Sequence, residues 1–306
     1  MTATPSKFGA LRAGALDSLV LSTTTALPNN WLGLRLAILL RRIVTMRMPR
    51  QGALDVERFG MRMRLHPRDN GCEKGALFTP QMFEVPERAE LFADIAKAEA
   101  AGRDYVFVDI GANVGMFSLL VASRAGTRAD IIAFEPDRQS LERLRFNTDA
   151  NPGVRIRIMP FALGAEEGHV ALHIDPRDRG GTRTLSLSEA EPDNVLEVRC
   201  RPLHVVLKEQ AVTRIDALKI DAEGNEDRIL EPFFANADET IWPKLVIIED
   251  TGHLWRTDLF VLFADLGYTV SSQQAQRDAA ANLTTAGRPA AIWRSMQMQA
   301  QHPAGG

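Results

Sequence analysis

Residues Tyr105–Gly115 read YVFVDIGANVG. Tyr105, Val106, Phe107 and Val108 are all β-branched or aromatic, which suits a strand buried on both faces. Asp109 stands where that strand should end, and Gly111 and Gly115 bracket a tight loop. Met116 to Ala125 then reads as a helix with Phe117, Leu120 and Val121 on one side. Strand, glycine loop and helix in that order open a nucleotide-binding α/β unit, with the ligand at the carboxyl end of the strand.

The loop is GxxxG after an acid, not GxGxxG. The dinucleotide fingerprint brings a helix N-terminus against a pyrophosphate, and a ligand without phosphates has no such need. S-adenosylmethionine carries a sulfonium, an ammonium and a carboxylate instead. Asp109 at the strand tip can attract the cationic groups directly or through water. Gly111 would let the backbone approach that ligand, and Gly115 would let the helix pack close to the strand. Asn113, between the two glycines, belongs to the same candidate cofactor surface.

A second apolar run, Ile131 to Phe134, also ends in an acid, Glu135, followed by Pro136 and a helix pattern with Leu141 and Leu144. A carboxylate at the end of the second strand of such a unit is placed to accept both hydroxyls of a ribose. Val154 to Met159 reads as a third strand. Phe161 and Ala162 at its end would hold the adenine, an apolar side chain on the ring and backbone groups on its edge. Ile215 to Ile220 and Leu245 to Ile248 read as the fourth and fifth core strands. Both end in acids, Asp221 and Glu223 on one, Glu249 and Asp250 on the other, with His253 just beyond. Helices are expected over 226–234 and 258–266, and the last two strands over 268–271 and 290–293.

DIGANVG, AFEPD, FALG, LKIDAEGNE and LVIIED, in that order, resemble the FkbM family of S-adenosylmethionine-dependent methyltransferases, with matching spacing from Phe59 to Trp293. The resemblance implies an α/β fold, a Rossmann-like seven-stranded methyltransferase sheet, mostly parallel, with helices on both faces, here behind a helical N-terminal extension. It implies S-adenosyl-L-methionine as cofactor and O-methylation, often of sugars or secondary metabolites. In the family the segment before the glycine loop helps cover the cofactor, so Thr79 to Glu84 is expected near the site. The family commonly has an Asp after the Leu of segment 195–206; here Leu203 is followed by His204, a departure that leaves the cofactor motifs untouched.

The chain then divides into a basic, partly helical extension (1–50), a strand and helix segment capping the cofactor site (51–104), the methyltransferase domain (105–296) and a disordered tail (297–306). The 306 residues are 45% hydrophobic, enough for a full core, and the net charge of −3 gives no global pull toward nucleic acid. Cys72 and Cys200 are too few and too far apart for a disulfide framework or a Cys-based zinc site, which fits a reducing cytoplasm. The extension holds Lys7, Arg12, Arg35, Arg41, Arg42, Arg47 and Arg50 against Asp17 alone. Trp31 to Met46 is too short and too charged to span a bilayer. Residues 31–50 admit two readings. One is a basic amphipathic helix touching the inner face of an anionic membrane. The other, which is favoured, is a helix packed on the domain or on the second subunit of a homodimer.

Elsewhere, Arg58 to Leu65 alternates as one half-buried strand with Arg62 and Arg64 outward, His66 to Gly71 reads as a turn, and Leu77 to Pro86 as irregular. Glu87 to Ala101 reads as a helix. His169 and His173 share one side of a strand over 169–174 and read as solvated rather than metal-binding. Val195 to Val206 reads as another strand. Arg177 to Leu187 reads as an exposed flap whose Arg179, Arg183 and Thr184 are candidates for gripping an acceptor.

The chemistry expected is direct in-line methyl transfer, in which the enzyme aligns the partners and excludes water. A hydroxyl is a poor nucleophile while protonated, so a general base should stand within hydrogen-bond reach. His253, Glu223 and Glu249, with Asp221 beside them, are the catalytic candidates. Such acids can also hold a divalent cation; that reading is weighed and no metal is assigned. The acceptor is expected to be a small molecule or glycan. A nicotinamide-dependent oxidoreductase would want the GxGxxG that is missing here. A non-catalytic scaffold that keeps the fold is the other alternative, although Asp109, Gly111 and Glu135 are all present. Nucleic-acid methylation is set aside, since the acidic balance of the domain and the lack of an NPPY-type motif speak against it.

Overall fold

The computed structural model describes residues 6–174, 183–185, 195–249, 251–272 and 293–298. The chain opens with a helical hairpin, α1 (Ala15–Ala26) and α2 (Trp31–Arg47). Asn30 starts α2, its side chain accepting the Gly33 N–H. Strands β1 (Leu54–Arg58) and β2 (Met61–Leu65) follow as an antiparallel pair. The alternation over 58–65 predicted one strand, but the chain reverses at Phe59-Gly60, where φ is +55° and +78°. Arg64 consequently turns inward, not outward. It is buried and pairs with Asp55 across the hairpin at 2.7 Å. α3 (Gly71–Phe78) begins at the end of the expected turn and runs into the stretch from Leu77 expected to be irregular; it is capped by the Asn70 side chain on the Glu73 N–H. α4 (Val85–Ala100) completes the segment before the core.

The core alternates β3 (Tyr105–Ile110), α5 (Met116–Ala125), β4 (Ala129–Phe134), α6 (Arg138–Asp149) and β5 (Ile156–Met159). Next come β6 (Ala162–Leu163), β7 (Gly168–His173), β8 (Arg183–Leu185), β9 (Val195–Arg201) and α7 (Leu203–Glu209). The expected strand over 195–206 thus stops at Arg201. Pro202 lacks the N–H that the ladder needs and begins a helix instead. β10 (Ala217–Ile220), α8 (Glu226–Asn236), β11 (Leu245–Glu249), α9 (Leu259–Asp265), β12 (Tyr268–Ser272) and β13 (Trp293–Met298) complete the elements of the described residues. The predicted last strand over 290–293 lies outside the described residues except for Trp293; β13 carries the sheet to Met298, into the segment assigned to the tail. Apart from the backbone of β8, the flap over 177–187 lies outside the described residues, as does Asp250.

Among the described residues, seven strands form the main sheet in the order β5-β4-β3-β10-β11-β13-β12. The first five pair in parallel, and β13 runs antiparallel to both neighbours. β6 to β9 form a separate sheet in the order β6-β9-β7-β8. The alternation of side chains sends Phe107 and Ile131 into one core with Leu91, Ile95 and Leu119 of α4 and α5. It sends Val108 and Ile132 into another with Leu207, Leu230 and Phe263 of α7, α8 and α9. Helices therefore cover both faces. The strand order reverses between β3 and β10, and a crevice opens at that switch point beyond the strands' carboxyl ends.

Candidate active site

Two cavities meet at the crevice. The first is lined by Phe134, Glu135, Pro136, Phe161, Ala162 and Ile229 among others. The second, of about 810 Å³, lies between the sheet's edge and the α2, α3 and α4 segments, with Glu84, Asp109, Lys219 and Glu249 in its wall. Gly111, Asn113, Asp221 and Glu223 line both.

Glu135 is buried at the end of β4. Its Oε2 accepts the Asn113 N–H at 2.7 Å and its Oε1 the Asp137 N–H at 2.8 Å. Burial outweighs these two bonds and pushes the carboxyl up to about 7. Asn113 sits at φ +51°, a left-handed conformation that Asn tolerates, and its Oδ1 accepts from the Asn70 side chain at 2.9 Å. The glycine loop is thus clamped from β4 on one side and α3 on the other. The remaining acceptor positions of Glu135, the apolar walls of Phe134 and Phe161, and the backbone of Ala162 suit a ribose with its base.

Gly111 was expected to admit the ligand. A Cβ there would stand 1.9 Å from the Asp221 carbonyl oxygen, so the close approach is to the exit of β10. A Cβ on Gly115 would stand 2.4 Å from Leu144 Cδ1, so that glycine seats α5 against α6 rather than against its own strand. Both residues also need a positive φ, +71° and +85°.

Asp109 is buried and lines the second cavity. Its Oδ2 accepts from Ser118 N–H at 3.0 Å and Ser118 Oγ at 2.6 Å, tying the strand to the first turns of α5. Its Oδ1 is buried with no hydrogen-bond partner, which fits a ligand ammonium. The register of β3 on β10 sets Asp109 beside Lys219. Lys219 Nζ lies 3.2 Å from Asp221 Oδ2 and 5.5 Å from the centre of the Phe117 ring. Burial alone would lower this ammonium; Asp221 and Asp109 outweigh burial and hold it above its ordinary value, so it stays charged.

Asp221, Glu223 and Glu249 each bring a carboxylate oxygen within 4.8 Å of the others, close enough to hold a metal ion. Burial, then the charges of Asp221 and Glu223, push Glu249 up to about 8. Glu84 faces the same cavity from the start of α4, at φ +43°, and burial followed by the Glu87 charge raises it to about 8. Glu223 also has a left-handed backbone, φ +53°, and strain of this kind collects at functional sites.

The loop after β10 is held by Glu226. It accepts from the N–H groups of Ala222 at 2.8 Å and Gly224 at 3.1 Å, and from Thr251 Oγ1 at 2.8 Å and Trp255 Nε1 at 2.7 Å. Those last two bonds pin the turn that carries His253 and leave the imidazole exposed. His253 lines neither cavity, so it is not brought together with the acids as expected. Lys219 and Glu84 are what sequence reasoning missed or left unspecified. Lys219 had one signal, a cation inside the apolar strand Ala217–Ile220. Glu84 fell within the stretch expected near the site, but nothing in its neighbours marked it out from Thr79 or Phe83.

The family model of the methyltransferase FkbM domain matches residues 109–270. Hexuronic acid methyltransferase AglP of Haloferax volcanii is 24% identical over 180 residues, 59% of this chain and 70% of that protein. Methyltransferase sdnD of Sordaria araneosa is 26% identical over 207 residues, 55% of this chain and 75% of that protein. Among solved structures, the SAM-dependent methyltransferase from Agrobacterium tumefaciens aligns with 81% of this chain and 70% of its own, at a TM-score of 0.42 and 11% identity.

Proposed function

This chain belongs to the methyltransferase FkbM family, and from that premise we propose that it methylates a hydroxyl oxygen of a sugar, glycan or secondary metabolite by direct in-line transfer. S-adenosylmethionine, when bound, supplies the methyl on an electrophilic sulfonium. The observation that carries the proposal is the wall of Gly111, Asn113, Asp221 and Glu223 shared by the two cavities. A cofactor with its adenosine in the first and its methionine end reaching Asp109 in the second would meet an acceptor in the second at that wall. Glu135 would hold the ribose hydroxyls, Phe161 and Ala162 the adenine, and Asp109 Oδ1 the ammonium.

Glu249 is the group suited to take the hydroxyl proton, because a base poised near the working pH is the most effective. Lys219 offsets part of the charge that Asp109, Asp221 and Glu249 accumulate. A neutral acceptor fits this acidic wall better than an anionic one. A carboxylate acceptor would need no base and would be repelled by Asp221, Glu223 and Glu249. The sugar class, but not the preference for a neutral acceptor, is supported by the likeness to a hexuronic acid methyltransferase.

The test is incubation with methyl-labelled S-adenosylmethionine and a panel of neutral and acidic sugars, followed by mild alkali. A label retained as an alkali-stable ether supports the proposal. An alkali-labile ester, or label on nitrogen, refutes it.

A further inference from the structure

Helix α2 presents its large apolar residues to solvent. Its buried face is made of Gly33, Ala37 and Val44. Leu32 is 66% exposed, Leu39 60% and Met46 81%, with Leu36 and Ile43 exposed beside them. The helical period places these five on one outward stripe. The orientation is built in. A Cβ on Gly33 would stand 2.1 Å from the Pro28 carbonyl oxygen, so this side must face inward, against the turn from α1. A contiguous apolar stripe on the outside of a folded chain marks a surface that something covers.

Charge says what covers it. Arg35 and Arg42 run along one edge of the stripe, Arg47 closes the other, and α2 contains no acid. A second copy of the chain, docked by two-fold symmetry through this face, would set one acid-free basic surface against another. Anionic lipid headgroups pair with the arginines while the leucines enter the acyl boundary. Trp31 is 70% exposed and lies 5.3 Å from the Arg35 guanidinium, an aromatic and a cation together at the level where headgroups would sit. Among the described residues no helix is long and apolar enough to cross a membrane. We propose that the outer face of α2 docks on an anionic membrane surface. Trp31 and Leu34 also line the larger cavity, so docking sets that cavity beside the lipid. Arrival of a membrane-borne acceptor from this side rests on the methyltransferase reading above; the docking itself does not.

The experiment is sedimentation of the full chain with vesicles of phosphatidylcholine and phosphatidylglycerol in equal parts, and with vesicles of phosphatidylcholine alone. S-adenosylhomocysteine binding is measured on the same samples without vesicles. Binding to the mixed vesicles only is expected, and it should be lost in high salt. Leu39→Glu alone, and Arg35→Glu with Arg42→Glu, should each weaken it by about ten-fold or more without altering the circular dichroism spectrum or the homocysteine ligand's affinity. Three results would overturn the proposal: no vesicle binding by a folded sample, equal binding to neutral vesicles, or a solution dimer that Leu39→Glu dissociates. A sample that binds vesicles but not S-adenosylhomocysteine keeps the docking and removes the methyltransferase reading.

Discussion

Replacing Glu135 by Gln preserves shape and removes charge, and the structure says why this is not a mild change. Both carboxylate oxygens already accept backbone N–H groups, from Asn113 at 2.7 Å and Asp137 at 2.8 Å. An amide can accept at one end only. Its other end is a donor facing a donor, so one buried N–H loses its partner, at about 1–3 kcal/mol of stability. A ribose also loses a charged acceptor worth about 1.5–3 kcal/mol, which is roughly ten- to a hundred-fold in affinity. Burial, the largest influence on Glu135, pushes its carboxyl from the ordinary carboxylate range up to about 7. The sign follows from linkage. A carboxyl raised on folding contributes stability that is full below its unfolded value and is lost as pH rises through about 7. Ribose hydroxyls donate to the carboxylate, so the ligand prefers the ionised form. Affinity for S-adenosylhomocysteine should therefore level off above about 7 and weaken as pH falls, toward about ten-fold per unit. Calorimetry in buffers of different ionisation enthalpy should detect the released proton, and the Gln variant should show neither the pH slope nor the proton. A dissociation constant that is flat from about pH 5.5 to about pH 8, with the variant binding like the parent, would refute the assignment of Glu135 to the ribose.

The rate of methyl transfer should climb with pH to an inflection near 8, where Glu249 ionises; Glu249→Gln should lower the maximal rate by about 10²–10⁴-fold and leave S-adenosylhomocysteine affinity nearly unchanged. Lys219→Met strips the cation from buried Asp109 and from Asp221 and should cost about 3–5 kcal/mol in urea unfolding; an unchanged midpoint would show that the acids do not need it. His253→Ala should stay within about two-fold of the parent rate, since the ring is exposed and outside both cavities, and a loss comparable to that of Glu249→Gln would restore His253 as the base.

The sheet was legible because each core strand is a short apolar run closed by an acid or a turn, and because the glycine loop admits few alternatives. β3, β4 and α5 lie where periodicity placed them. Failures came where a local signal was ambiguous. Arg58 to Leu65 alternates well enough for one strand, and only the left-handed pair Phe59-Gly60 betrays the hairpin. Arg64 looked solvent-facing because its partner, Asp55, lies nine residues earlier on another strand. The lining of the first cavity was readable since its residues follow strand ends in one unit. That of the second was not, because Glu84 and Lys219 meet only when α4 is folded over the end of β10.

The segment Asp221 to Asp227 shows what then separates a structural acid from a chemical one. Four carboxylates fall within seven residues, and their positions in the sequence do not rank them. The supply of donors and the place in the cavities do. Glu226 is saturated by Ala222, Gly224, Thr251 and Trp255. Asp227 holds the N–H groups of Arg256 and Thr257 with one oxygen and keeps the other buried without a hydrogen bond, but like Glu226 it lines neither of the two cavities. Asp221 leans on Lys219 and keeps one buried oxygen without a hydrogen bond. It raises Glu249 from the next strand together with Glu223. The loop that Glu226 ties down is what brings those three carboxylates together. Burial first, and then their mutual repulsion, held in place by hydrogen bonds made elsewhere, keep a strand-end glutamate basic enough to receive a hydroxyl proton near neutral pH.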